Sequence, residues 1–179
     1  MPTIDDTIAL VRKAHAGQTD KAGEPYVEHL LRVYERARKR LNELAVSIDA
    51  QERDEILHAA LLHDIVEDTE HTFEQLRAMG YADATVRRVA LLTREEDGRP
   101  YQEEIEEIAG SGDLGAIVIK LSDNEDNSDQ VRVSKLPEGN PERLERYRQS
   151  METLRAALER LQGGSAPTGT KMAPSEKNP

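Results

Sequence analysis

The stretch Leu61-Leu62-His63-Asp64-Ile65-Val66-Glu67-Asp68-Thr69 constrains the fold more than any other part of the chain. It sets one histidine and three carboxylates inside an apolar run, where charged groups are costly to bury unless something compensates them. A helix explains the spacing. His63 and Glu67 are four apart and share a face, as do Asp64 and Asp68, with Leu61, Leu62, Ile65 and Val66 on the apolar sides. Thr72 with Gln75 reads as the capping box of a following helix, so the polar cluster should close its own helix, where the macrodipole disfavours carboxylates. Two readings suit such a cluster. One is an acidic helix end with a hydrogen-bonded core histidine. The other is a group gathered round a cation, which offsets the repulsion and accepts both imidazole nitrogen and carboxylate oxygen as ligands.

The absence of cysteine excludes disulfides, iron–sulfur clusters and thiol nucleophiles, leaving His, Asp and Glu as the strong metal ligands. A length of 179 residues suits one domain with a real core, expected over 1–162. The start, Met1-Pro2-Thr3-Ile4-Asp5-Asp6, lacks an apolar core, and no later apolar run is long enough to span a bilayer, so a soluble cytoplasmic protein is expected. The net charge of −11 argues against nonspecific binding to duplex nucleic acid or to an anionic membrane. A phosphorylated substrate would need locally concentrated cations. Nothing in the composition sets the oligomeric state.

Helical patterns recur along the chain. Thr3 with Asp6 is a further capping box, and Ile4, Ile8, Val11 and Ala14 follow it at helical spacing, so a first helix should close at Gly17. The turn formers of Gln18 to Pro25 read as a loop, and Val27, Leu30, Leu31, Tyr34, Ala37 and Leu41 as a second helix with His29 near its start. Ser47 or Asp49 can cap a third helix, apolar nearly all round and so expected at the centre, which runs into the opening motif. Helices are expected at 73–79, at 84–93 and from Tyr101 to Gly110. The apolar run Leu114 to Leu121 fits a buried strand or helix and is assigned to helix, because no partner strand is evident. Asn140-Pro141 reads as the cap of a long last helix carrying Leu144, Tyr147, Met151, Leu154, Leu158 and Leu161. From Gly163 to Pro179 the apolar period is lost and a disordered tail is expected. The fold class is all-α, a bundle of roughly six to eight helices.

A metal site on the opening motif needs ligands beyond His63 and Asp64, drawn from other helices. His29 upstream and Asp123 downstream are the candidates. With them the chain resembles the HD-domain metal-dependent phosphohydrolases, through His29, His63-Asp64 and Asp123 in that order. Ala14-His15-Ala16-Gly17-Gln18, Lys21 to His29, Ala60 to Thr69, and Lys120-Leu121-Ser122-Asp123 with Asn127 are similar to the hydrolase domain of RelA/SpoT-type alarmone enzymes and their stand-alone small relatives. The resemblance implies an HD-domain helical bundle with Mn²⁺ held by His29, His63, Asp64 and Asp123. Fe or Zn suits the same donors chemically. It further implies that Glu67 and Asp68 serve the hydrolytic water, with Glu67 as base, and that the 3′-pyrophosphate is removed from guanosine tetra- or pentaphosphate, ppGpp or pppGpp. Lys21, Asn127, Arg143 and Tyr147 match positions near the nucleotide; Lys120, Arg99 and Arg132 are further phosphate partners. The implied partner is a small phosphorylated nucleotide.

The chain departs from that pattern at two places. Asp20 precedes Lys21 where paired basic residues are usual, and Asn124-Glu125-Asp126 follows Asp123. Acidic groups there point to a less charged nucleotide or another phosphate ester as the alternative substrate. A noncatalytic ligand-binding module is the alternative from another class; the intact set of four ligands with Glu67 and Asp68 speaks against it.

Overall fold

In a computed structural model that describes residues 1–94, 98–134 and 141–163, the side chain of Arg132 excepted, the chain is all-helical. Among the described residues the only extended pairing is an isolated bridge between Thr19 and Pro25. The elements are α1 (Ile4–Ala14), α2 (Tyr26–Glu43), α3 (Ala50–Leu62), α4 (Ile65–Asp68), α5 (Phe73–Ala78), α6 (Asp83–Leu92), α7 (Tyr101–Gly110), α8 (Leu114–Asn127), α9 (Gln130–Val133) and α10 (Pro141–Gly163). Eight of them have six residues or more; α4 and α9 are single turns of four.

Local rules set most of the boundaries. Both capping boxes form, Thr3 with Asp6 and Thr72 with Gln75, each satisfying backbone donors that a helix start leaves open. Asp49 rather than Ser47 caps α3, accepting the Glu52 N–H at 2.8 Å. The Leu114 run is helical and continues to Asn127. Asn140 and the expected tail beyond Gly163 lie outside the described residues.

The centre of the bundle is shared. Every residue of α3 from Glu55 to Leu62 is buried, but so is most of α8, which packs against α2, α3, α6, α7 and α10. Gly115 lets α8 approach closely: a Cβ there would sit 2.6 Å from Ile56 Cγ1 and 2.7 Å from Arg88 Nε. One expectation fails. The opening motif is not one continuous helix, because α3 ends at Leu62 and Asp64 adopts φ −105° and ψ 1°, the bridge region of the backbone. The break has a tertiary cause, since Asp64 turns toward Tyr26, His29 and His63 instead of prolonging the helix surface. The chain then resumes as α4, with the Asp68 N–H on the Asp64 carbonyl at 2.9 Å.

Candidate metal centre and substrate cleft

Three helix ends bring the charged groups together. His29 projects from the first turn of α2, His63 and Asp64 stand at the break after α3, and Asp123 comes from the last turns of α8. His63 Nε2 lies 3.1 Å from Asp64 Oδ2, His29 Nε2 lies 3.8 Å from the same oxygen, and His29 Nε2 is 3.4 Å from Asp123 Oδ1. Donor atoms of His29, His63 and Asp64 all fall within 4.8 Å of one another, a spacing that suits a shared cation. Asp123 stands just outside that trio. Its Oδ2 receives Lys120 Nζ at 3.1 Å and its Oδ1 receives the Asn127 amide at 2.5 Å.

Two observations test the fit to a metal. His63 donates Nδ1–H to the Ala60 carbonyl at 2.8 Å, which leaves Nε2 buried and without a hydrogen bond among the described residues. His29 donates Nδ1–H to Asp126 Oδ2 at 2.8 Å, and its Nε2 faces the carboxylates. Backbone carbonyls and carboxylates on the far nitrogen are the usual means of orienting ligating imidazoles. The donor set of imidazole and carboxylate suits Mn, Fe or Zn.

The electrostatics agree. Burial would lower the pKa of His29, but Asp123, Asp126 and Asp64 outweigh it and raise the pKa to about 9. His63 shifts up against burial for the same kind of reason, with Asp64 the main cause. Burial acts to raise Asp64 and Asp123, yet the facing histidines, and Lys120 beside Asp123, hold both well below the usual carboxylate range. Tyr26 donates its hydroxyl to Asp64 Oδ2 at 2.6 Å and loses acidity through burial and the adjacent carboxylates.

The cluster forms the floor of a cleft of about 440 Å³, within the range of small-ligand pockets. Of the residues singled out in the sequence, His29, Asp64, Asp123, Glu67, Asp68, Lys21, Asn127, Arg143 and Tyr147 all line it, with His63 behind the floor. Glu67 is open to the cleft, accepts the Arg94 backbone N–H at 2.9 Å, and is pushed above its ordinary pKa by desolvation, with Asp64 and Asp68 adding repulsion. Lys120 lines the cleft and lies 5.8 Å from the Tyr101 ring centre; Arg99 is not among the lining residues and pairs with Glu107 at 2.8 Å. The Arg132 side chain is outside the described residues.

Some functional geometry escaped the sequence reading. Arg94 and Arg146 join Lys21, Arg143, Tyr101 and Tyr147 in an annex of about 180 Å³ beside the cleft. Desolvation and the charges of Arg143 and Arg146 lower the pKa of Lys21, the mark of cations crowded together. A chain of net charge −11 thus carries the local cations that a phosphorylated ligand needs. Tyr26 belonged to a recognised motif, but its bond to Asp64 links positions 38 apart and had no local signal.

An all-helical bundle that brings two histidines and two aspartates to the floor of a cleft with basic side chains on its rim has the donor set of a metal site and local charge suited to an anion. The chain belongs to the HD domain family, whose model matches residues 26–156. It is 33% identical over 131 residues to a Drosophila melanogaster guanosine-3′,5′-bis(diphosphate) 3′-pyrophosphohydrolase, covering 72% of this chain and 68% of that protein. It is 32% identical over 127 residues to the Haemophilus influenzae protein of the same enzyme name, covering 66% of this chain; it spans only 17% of that bacterial relative's length. A solved structure of a metazoan SpoT ortholog, described as hydrolysing ppGpp and acting in starvation responses, superposes with a TM-score of 0.67 at 25% identity. That match covers 90% of this chain and 95% of the other. Among the described residues no helix is long and apolar enough to cross a membrane.

Proposed function

We propose that this chain is a metal-dependent phosphohydrolase that removes the 3′-pyrophosphate from guanosine tetra- or pentaphosphate in the cytoplasm, with Mn²⁺ as its ion. One observation carries the reading: the buried His63 Nε2 makes no well-formed hydrogen bond yet lies 3.1 Å from Asp64 Oδ2 and close to His29, at a cleft whose rim gathers Lys21, Arg94 and Arg143. The Drosophila and bacterial relatives and the metazoan SpoT ortholog support the substrate.

His29, His63, Asp64 and Asp123 would hold the ion. When bound, a divalent cation supplies Lewis-acid polarisation of a phosphoryl oxygen and acidifies water within its reach. Glu67 takes the proton from the attacking water; its raised pKa brings it closer to the working pH, which favours a general base. The water oxygen bonds to phosphorus as the bond to the 3′ oxygen breaks, and a proton is returned to that oxygen. Asp68, on the same turn, orients the water with Glu67. Lys21 and Arg143 bind phosphate, Asn127 steadies Asp123 and Tyr147 presents the Arg143 guanidinium, its hydroxyl accepting from Nε at 2.9 Å.

The test is turnover by Mn²⁺-loaded protein of guanosine tetraphosphate beside a panel of nucleotides and phosphomonoesters. Release of pyrophosphate and GDP from the alarmone is expected. Turnover confined to other members of the panel would overturn the substrate. Failure of the protein to bind any divalent ion, with no turnover, would leave a binding module instead.

A further inference from the structure

Both departures from the alarmone pattern are acidic, and both would repel a polyanion if they faced it. They do not. Asn124 is buried, accepting the Tyr101 hydroxyl at 2.8 Å and donating to Ser150 Oγ at 2.5 Å. Glu125 is held by Arg40 at 2.7 Å and Arg155 at 3.2 Å. Asp20 borders the cleft, but its Oδ1 accepts the Ala22 N–H at 2.9 Å and the Glu24 N–H at 3.0 Å, closing the loop that carries Lys21. Gly23, at φ 80°, supplies the left-handed turn that this loop needs. Asp126 is fully buried against His29 and does not line the cleft.

Asp20 and Asp126 converge on one guanidinium. Arg32 stands one turn beyond His29 on α2. Its Nε donates to Asp126 Oδ1 at 2.9 Å, its Nη1 donates to Glu24 Oε2 at 3.4 Å, and its Nη2 is 3.7 Å from Asp20 Oδ2. A planar fork of donors can hold partners on several sides at once, which a lysine ammonium cannot do at fixed geometry. The other oxygen of Asp126 accepts His29 Nδ1–H, so the same carboxylate fixes the tautomer and aim of the imidazole. Arg36, 3.6 Å from Asp126, gives that carboxylate a second cation, so removal of Arg32 does not strip its charge partner away.

We propose that Arg32 is a positioning residue that couples the Lys21 loop to the metal ligand His29 through Asp126. The proposal rests on the metal reading given above. One cation then fixes both the loop that meets the phosphates and the imidazole on the cleft floor, and loosening either end is felt at the other. The two acidic departures are parts of one internal clamp, and their charge is taken up by the protein rather than presented to substrate.

Titration of purified full-length protein with Mn²⁺ by calorimetry, and with Co²⁺ by visible absorption, tests this directly, with hydrogen exchange over 18–26 as a third readout. Arg32→Met, one step behind the outer-shell partner Asp126, should weaken Mn²⁺ binding by about 10-fold, the lower end of the cost of losing an outer-shell partner, and speed exchange in the loop. Asp20→Asn, whose side chain touches no metal ligand, should weaken Mn²⁺ binding about threefold or more and alter the Co²⁺ spectrum. Arg32→Lys should not restore wild-type affinity, and Asp126→Asn, which still accepts from His29, should fall between wild type and Arg32→Met. If Arg32→Met does not fold, Asp20→Asn decides alone. Wild-type metal affinity in both Asp20→Asn and Arg32→Met, or in Asp20→Asn when it stands alone, would overturn the coupling while leaving the metal centre standing. A wild-type protein that binds neither ion would remove the metal reading itself, and the coupling with it.

Discussion

His58 and His63 are both 2% exposed, lie five positions apart, one in the C-terminal half of α3 and the other at its C-cap, and have opposite surroundings. His58 is bonded through Nδ1 to Thr7 Oγ1 at 2.9 Å, stands edge-on to the Tyr81 ring, and has its pKa lowered by burial. His63 satisfies Nδ1 on a carbonyl, keeps Nε2 open beside Asp64, and has its pKa raised. Burial is common to both. The difference lies in the carboxylates at His63, Asp64 next to it in the chain and Asp123 from α8, and in the Nε2 that faces Asp64 at 3.1 Å. One helix and its C-cap thus contain both readings that the sequence allowed for a buried histidine: a hydrogen-bonded core residue at 58 and a candidate ligand at 63.

The sharpest way to break this contrast is to remove Asp64. Asp64→Ala should abolish Mn²⁺ binding and turnover while helical circular dichroism is retained, whereas His58→Gln should keep both metal and kcat. Comparable activity losses in the two variants would erase the distinction. Glu67→Gln comes next, with kcat lowered about 10²–10⁴-fold, the range for a general base, and metal content unchanged by elemental analysis. Loss of metal in that variant would move Glu67 from the water to the ligand set. Removing the ion with a chelator acts on one cluster only. Saturation at about 100 times Kd contributes about 2.7 kcal/mol, which should raise the midpoint of thermal unfolding by roughly 5–10 °C for a chain of this size. His58→Gln should gain the same increment as wild type; a smaller gain would show that the two clusters communicate.

What could be read from the sequence depended on the range of the interaction. The capping boxes at Thr3 and Thr72 are built from residues three apart, and the apolar stripe of α10 repeats within one helix, so local chemistry sufficed. His29, Asp64 and Asp123 line one cleft with His63 close against Asp64, a proximity that the motif resemblance made foreseeable. The helix break at Asp64 was not foreseeable, because it answers to a tyrosine hydroxyl on α2. Nor could the acidity of Asp20 and Asp126 be interpreted from spacing, since the meaning of each charge lies in Arg32, on another element. A carboxylate beside a substrate motif reads as repulsion until its partner is seen.

Removing the core hydrogen bond is a smaller perturbation. His58→Gln disturbs the buried Thr7 and Tyr81 hydroxyls, which are 2.9 Å apart, and should cost about 1–2 kcal/mol of stability by urea titration. The smallest effect is its dependence on pH, and its sign separates the histidines. His58 has a folded pKa below its unfolded value, so as pH falls through about 6.5 the unfolded chain takes up a proton that the folded chain refuses. Stability therefore falls with decreasing pH, by at most about 1.4 kcal/mol per unit for one proton, until the folded-state group is protonated as well. Above pH 7 the contribution is flat. The difference in unfolding free energy between wild type and His58→Gln, measured in metal-free buffer from pH 5 to 8, isolates this group because the raised histidines at the cleft titrate alike in both proteins. Wild type should lose part of its advantage at the acid end. An advantage that grows toward pH 5 would mean that His58 is held as the cation, and would place it with His63 rather than opposite to it.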